Sequence, residues 1–334
     1  MISDLKSIIR QRSSLYFGIY FLFLLIYALT RRTVDFYPFL GIAKEILFYN
    51  IDLYRDHPAF SYPPFFFCIV AFFTPFTPKL ALLLWNILSI ALLAASSVMI
   101  LKIIKERIDP KKWINVFLPF LLAIFIISDN IYLGQSNPMI FFLCTSSLYL
   151  FIKKKSVLSG LVLSVAISAK ITPFLFLVYF IYKREYKLVV ATFLGLILFT
   201  LIVPCAFFGI SRNIFFLKDF FRQVIMPFIS NDVAIRETVY YTNTNQSLDA
   251  FIVRHFTDFG KNAYGCFHKI IDPSFLSLSE AKKYSTFVKV ILLVVSALAF
   301  GGSLNRKTQL LKFEFATMFL LILFISPTSH LNHY

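Results

Sequence analysis

Charge is scarce in this sequence, and the scarcity excludes more than any single motif does. Only 15% of the 334 residues are charged and 58% are apolar, whereas a soluble domain has about 25% charged and about 45–50% apolar residues. The mean hydropathy is +0.76. Forty-two phenylalanines are more than one soluble core can hide, so the chain reads as a polytopic membrane protein. Acid is scarcer than base, 17 residues against 33, for a net charge of +16. In a membrane protein that excess marks cytoplasmic loops, and no nucleic-acid partner is expected. Of the four cysteines, Cys68, Cys144, Cys205 and Cys266, three lie inside apolar runs, which excludes a disulfide framework and a cysteine metal cluster. A Walker loop, a GxGxxG turn and an HExxH helix are all missing, so nucleotide hydrolysis is not expected. No internal repeat is visible. The first apolar run, from Leu15 to Thr30, carries no small-residue cleavage site and is expected to stay as a helix.

What is present is a series of apolar runs near the about 20 residues that cross a bilayer. They occupy 14–30, 79–101, 113–128, 138–152, 188–209, 286–302 and 313–326. Residues 156–182 form two shorter halves broken at Lys170 and Pro173, expected as a tight hairpin, so that about nine crossings result. Residues 63–78, bounded by prolines, are short for a crossing. Excluding them places 1–13, 102–112, 153–155, 183–187 and 303–312 on one side. Those five pieces hold seventeen of the lysines and arginines. The positive-inside rule makes that side cytoplasmic, with the N-terminus inside and residues 63–78 dipping into or lying along the outer leaflet.

This orientation collects the unusual polar segments on the outer side: "TVDFYPF", "YRDHPAFSYPP", "SDNIYLGQSNP", "TNTNQSLDAFIVR" and "SPTSHLNHY". Two outer loops, 31–78 and 210–285, carry amphipathic patterns. Phe216, Phe220 and Val224 recur at helical spacing with Lys218, Asp219 and Arg222 between them. Residues 36–53 read the same way, as helices lying in the interface plane.

With those segments in view, the chain resembles the polyprenyl-phosphate-mannose-dependent glycosyltransferases of family 87, within the GT-C superfamily. The resemblance runs almost end to end. It rests on the aspartate after the first helix in "TVDFYPFLGIAKEILFYNIDLY", on Tyr62-Pro63-Pro64, "GQSN" at 134–137, "AKITP" at 169–173, "NQSLDAFIVR" at 245–254 and "SPTSHLNHY" at 326–334. The last is similar to the family's Ser-Pro-x-Ser-Trp-x-His-His signature, with His330 in place of the tryptophan and Asn332 in place of the first paired histidine, leaving His333. The resemblance implies a single GT-C-type helical bundle, with further helices beyond Tyr334. It implies inverting transfer of a hexose, mannose first among the choices, from a polyprenyl phosphate to a glycolipid or glycan hydroxyl outside the cytoplasmic membrane. Arabinose and glucose are the near rivals.

Such a transfer needs a base for the acceptor hydroxyl and charge stabilisation for the leaving lipid phosphate. Asp35 matches the family's first-loop aspartate and is the expected base. Asp129, Asp52 and Asp56 are alternatives. Lys170, Arg254 and His333 are candidates for the donor phosphate. Tyr62, Gln135, Asn137, Asn245 and Gln246 are candidates for sugar or acceptor hydroxyls, and Tyr54 for stacking or for the aromatic belt. The lipid-linked donor carries its own activation, so no cofactor is expected, and single acids per loop argue against a metal cage. Two other readings stand beside this one. A transporter or flippase would place its polar groups at the midplane, and a non-catalytic assembly protein would leave Asp35 and Lys170 dispensable.

Overall fold

A computed structural model describes residues 18–28, 30, 35–49, 51–58, 60–104, 118, 121–226, 247–257, 276–301 and 308–325. They build an all-α polytopic membrane protein. Among them the sole β-type pairing is an isolated bridge between Thr257 and Leu276.

Among the described residues three helices are long and apolar enough to cross a membrane: Pro78–Ile103, Tyr186–Phe208 and Ser279–Phe300. Gly18–Ala28, Ile124–Leu133, Asn137–Ile152 and Ser156–Ala169 are shorter apolar helices. The two halves of the expected hairpin are Ser156–Ala169 and Phe174–Tyr182, at about 1.5 Å per residue each too short to span a ~30 Å core unaided. Large apolar side chains on the outside are the counterpart of these lengths. Phe125 is 84% exposed, Phe313 76% and Leu298 75%, an arrangement suited to lipid and costly in water.

Small residues set the closest helix contact. Ser156–Ala169 packs against Tyr186–Ile197 through Gly160 and Gly195. A Cβ on Gly160 would lie 2.4 Å from the Leu188 carbonyl oxygen, and one on Gly195 would meet Ser164 Oγ. In lipid, where helices gain no hydrophobic attraction, such backbone approach carries the association. Gly160→Val is therefore expected to destabilise the fold by about 1–3 kcal/mol or more. Thermal unfolding in detergent measures it, and an unshifted midpoint would show that this contact can relax.

The helix Tyr186–Phe208 contains a π-helical turn at Leu198–Ile202, just before Pro204. Proline lacks an N–H, which frees a carbonyl four residues earlier. Asn213 supplies the missing donor: its Nδ2 bonds the carbonyls of Thr200 at 3.1 Å and Leu201 at 3.3 Å. The carbonyl released in the spanning helix is thus satisfied from the following helix, Ile210–Phe220.

A buried ion pair ties the C-terminal helices to the bundle. Lys183 Nζ lies 2.8 Å from Glu314 Oε1, with the side chains 11% and 8% exposed. Lys183 also donates to the Phe300 carbonyl at 2.9 Å, and Tyr179 donates to Glu314 Oε2 at 2.5 Å. Removing one buried partner strands the other charge, at a cost of about 3–5 kcal/mol. Lys183→Met is accordingly expected to lower thermal stability strongly, and Lys183→Met with Glu314→Leu to recover most of the loss.

The loop that follows the first apolar run is a packed structure. The helix Phe36–Phe48 buries Phe36, Phe39, Leu40, Ala43 and Ile46 against the eight-residue helix Pro64–Ala71. Phe66 and Phe67 are fully buried. Phe36 stands 5.2 Å from Trp85, and Phe39 meets Phe66 edge-on at 5.1 Å. Aromatic pairs of this kind contribute about 0.5–1.5 kcal/mol each beyond area burial. The first half of the proline-bounded segment, Pro64–Ala71, is thus covered by protein, while Phe72 and Phe76 after it are exposed.

Candidate active site

The site grows from one helix end. The helix Ile124–Leu133 stops at Gly134, whose left-handed backbone (φ 66°, ψ 36°) suits a residue without Cβ. The Gln135 N–H bonds back to the Asn130 carbonyl at 3.0 Å, and Trp85 Nε1 donates to the Gly134 carbonyl at 2.9 Å. These bonds fix the turn that presents Gln135, Ser136 and Asn137. Asn137 and Pro138 then open the next helix.

Gln135 Nε2 donates to Asp35 Oδ2, joining positions a hundred residues apart. The Asp35 backbone N–H is held by the Leu133 carbonyl at 3.1 Å, so the carboxylate is placed by both its main chain and its side chain. The other end of the Gln135 amide accepts a weak bond from the Tyr62 hydroxyl at 3.4 Å. Ser136 Oγ donates to that hydroxyl at 3.2 Å. Burial pushes the Tyr62 hydroxyl up to about 12, with Ser136 pulling it down and Asp35 adding to the rise, so Tyr62 stays a donor at neutral pH. Its ring stacks on Phe66 at 4.2 Å, and its carbonyl accepts from the Tyr54 hydroxyl at 2.8 Å.

Lys170 completes the group from the hairpin turn. Its Nζ lies 5.6 Å from the Tyr62 ring centroid and donates to Asn137 Oδ1 at 2.7 Å. Asn137 Nδ2 donates onward to Asn130 Oδ1 at 2.9 Å. Lys170 faces a tyrosine ring and an amide, and burial lowers its ammonium to about 8. A lysine in such a setting is costly and ready to accept an anion as a point charge.

Asp35, Tyr62, Gln135, Asn137 and Lys170 thus form one connected cluster. For the other candidates, Tyr54 apart, no bond to this cluster is described. Asp129 is inside the helix Ile124–Leu133, more than a turn before its end, because the helix runs to Leu133 and past the boundary expected at 128. Tyr54 is 1% exposed, so its ring is an internal anchor and offers no face to a sugar. Arg254 belongs to the helix Leu248–Phe256, which is clamped to Leu278–Phe300 by Asp249 accepting from Ser285 and Lys289. Asn245, Gln246 and His333 lie outside the described residues.

Sequence reading missed two partners. Ser136 and Asn130, 1% and 8% exposed, are polar residues inside an apolar region, and that alone was the available signal. Asp219 was assigned to the polar face of its helix and is instead 3% exposed. Arg55 Nε stands 3.1 Å from Asp52 Oδ2 and 3.8 Å from Asp219 Oδ2, which ties the loop before Pro64 to the helix Ile210–Phe220. Partial burial raises Asp52 above the ordinary carboxylate range, Arg55 pulls it back, and the neighbouring Asp219 pushes it up again. With Asp56 Oδ2 accepting from the Asp52 N–H at 2.8 Å, these acids are bound into the loop's own structure.

No curated protein and no solved structure matches the chain. The family model of glycosyltransferase family 87 does, over residues 60–327, a stretch that takes in Tyr62, the 134–137 turn and Lys170. The match takes in most of the chain, and the chain belongs to glycosyltransferase family 87.

Proposed function

We propose that this membrane glycosyltransferase moves a hexose, mannose in the first instance, from a polyprenyl phosphate to a hydroxyl of an extracytoplasmic glycolipid or glycan, with inversion and without a cofactor or metal. The observation that carries the reading is the Gln135–Asp35 bond, which brings the first-loop carboxylate into the cluster that holds Lys170. Asp35 takes the proton of the acceptor hydroxyl as its oxygen attacks the anomeric carbon. The bond from that carbon to the phosphate oxygen breaks on the opposite face, and the lipid phosphate leaves with the electron pair. Lys170 neutralises the charge that develops there. Gln135 keeps a second N–H and a second lone pair beyond the bonds described, enough to orient a sugar hydroxyl while holding Asp35, and Asn137 holds Lys170. Arg254 and His333 are further phosphate candidates, and Asn245 and Gln246 further hydroxyl candidates.

The purified full chain, supplied with a lipid acceptor extract, tests the donor class. Labelled mannose should pass from polyprenyl-phosphate mannose and not from a nucleotide-linked mannose, and the new linkage should have the opposite anomeric configuration to the donor. Transfer from the nucleotide sugar with no lipid donor present would overturn the reading. Transfer from a polyprenyl-phosphate arabinose or glucose in preference to mannose would replace the sugar and keep the mechanism.

A further inference from the structure

The end of the bundle away from Lys170 carries a second arrangement that the transferase chemistry leaves unused. The turns 153–155 and 183–185 are built alike. In each, three successive N–H groups return to the helix just ended: Lys153 to Tyr149, Lys154 to Phe151 and Lys155 to Leu150 in one, Lys183 to Tyr179, Arg184 to Ile181 and Glu185 to Phe180 in the other, all at 2.9–3.1 Å. Lys154 and Arg184 both take left-handed backbone, φ 61° and 58°. Among the described residues they are the two non-glycine positions that do. Glycine is the relaxed choice at such a helix end, and a side chain there is strained. At both turns the sequence places a long cation instead.

The two turns share a cavity of about 850 Å³, lined by Lys154, Lys155, Arg184 and Lys187, with Glu185 as its carboxylate and Val157, Leu158 and Leu161 as its apolar wall. Two helices of 14 and 12 residues begin on it, at Ser156 and Tyr186. Their N-terminal N–H groups add positive potential. Lys155 occupies the N-cap of the first helix and makes no side-chain cap, so those donors are left to an acceptor from outside. Val157 and Leu158 are 57% and 47% exposed, which continues the apolar wall outward beside the cations.

We infer that this cavity binds the phosphate head group of an anionic phospholipid, with the acyl chains lying along Val157 and Leu158. Free phosphate satisfies the same cations, but it has no use for the apolar wall, and the wall favours the lipid. The basic turns lie on the side that the lysine and arginine distribution assigns to the cytoplasm, where anionic lipids draw basic residues to the surface. The bound head group would join the two turns and hold the hairpin from below while its other end carries Lys170. The inference is independent of which sugar the enzyme transfers.

Glycine at the two left-handed positions provides the test, because it deletes the charges while relaxing the backbone. The full chain in a neutral detergent is titrated with phosphatidylglycerol, with phosphatidylcholine and with inorganic phosphate, and binding is read by native mass spectrometry and thermal unfolding. Wild type should prefer phosphatidylglycerol over phosphatidylcholine. Lys154→Gly with Arg184→Gly should weaken phosphatidylglycerol binding about 30-fold, at ~1 kcal/mol per basic residue, with an unliganded midpoint no lower than wild type. Lys153→Gln removes a charge from the same loop, where Lys153 sits 5.7 Å from the Tyr149 ring centroid and outside the cavity lining. It should bind as wild type does. Equal binding of the two lipids, or phosphatidylglycerol binding unchanged in the glycine variant, would overturn the site. Displacement of the lipid by inorganic phosphate at equal concentration would make free phosphate the ligand and overturn the lipid assignment.

Discussion

Asp35→Asn should lower turnover by about 10²- to 10⁴-fold, the range associated with losing a positioned general base, while KM for the lipid donor and the amount of protein in the membrane change little. The substitution keeps the size and planarity of the side chain. Asp35 sits at the N-cap of Phe36–Phe48 without a side-chain cap bond, so the helix does not depend on its carboxylate. Its backbone contact to Leu133 is untouched. What is lost is the lone pair that receives a proton, since the asparagine carbonyl oxygen can still accept from Gln135 Nε2. Gln135→Leu tests the aiming bond by itself. It leaves the base and removes the bond that aims it, so it should lower kcat less than Asp35→Asn does and leave the pH dependence of the remaining activity where it was. Radiolabelled transfer in membranes carrying wild type or each variant measures both. Full activity in Asp35→Asn would remove the assignment and bring Asp129 forward as the next candidate.

The cluster was legible in the sequence because its members stand in short polar punctuations between apolar runs. Asp35, Tyr62, the 134–137 turn and Lys170 each interrupt hydropathy where a helix ends, and helix ends at one side of a bundle are brought together by topology. What the pattern did not contain was pairing. That Gln135 serves Asp35 and Asn137 serves Lys170 depends on the rotation of each helix, set by contacts such as Trp85 to the Gly134 carbonyl. Asp219 shows the opposite failure. An amphipathic count assigns every acid of an interfacial helix to water, but the helix Ile210–Phe220 is covered on its Asn213, Phe216 and Asp219 stripe, and an acid on that stripe is buried with a cation from another loop. The Lys183–Glu314 pair was equally invisible, since Lys183 counted among the charges of the 183–187 loop and Glu314 lay unremarked inside the apolar run 313–326. The two short halves of the hairpin were visible as a break at Lys170 and Pro173, because proline and a charge interrupt an apolar run whatever surrounds them.

Lys170 should impose an alkaline limit on the enzyme. Burial lowers its pKa to about 8 in the free protein, from an ordinary value near 10.4. A phosphate needs the charged form, so kcat/KM should fall as pH rises through about 8, because that ratio reports the free enzyme. Once the donor phosphate sits beside the ammonium, the opposite charge favours protonation, and the limb in kcat should move to higher pH. Stability runs the other way. The folded state holds fewer protons at this site than the unfolded chain between about 8 and 10.4, so this group's contribution to stability increases as pH rises across that window. Activity and stability should therefore diverge above pH 8, which separates loss of a charge from general alkaline unfolding. Lys170→Met should lose about 10²- to 10³-fold in turnover, as expected when one preorganised charge is withdrawn from a developing anion, and its residual activity should lack the limb. Lys170→Arg stays charged throughout and should also lack the limb, at a lower rate set by the planar guanidinium's poorer fit between Asn137 and the Tyr62 ring. A limb that persists unchanged in Lys170→Arg would assign the titration to another group and leave Lys170 as a structural partner of Asn137.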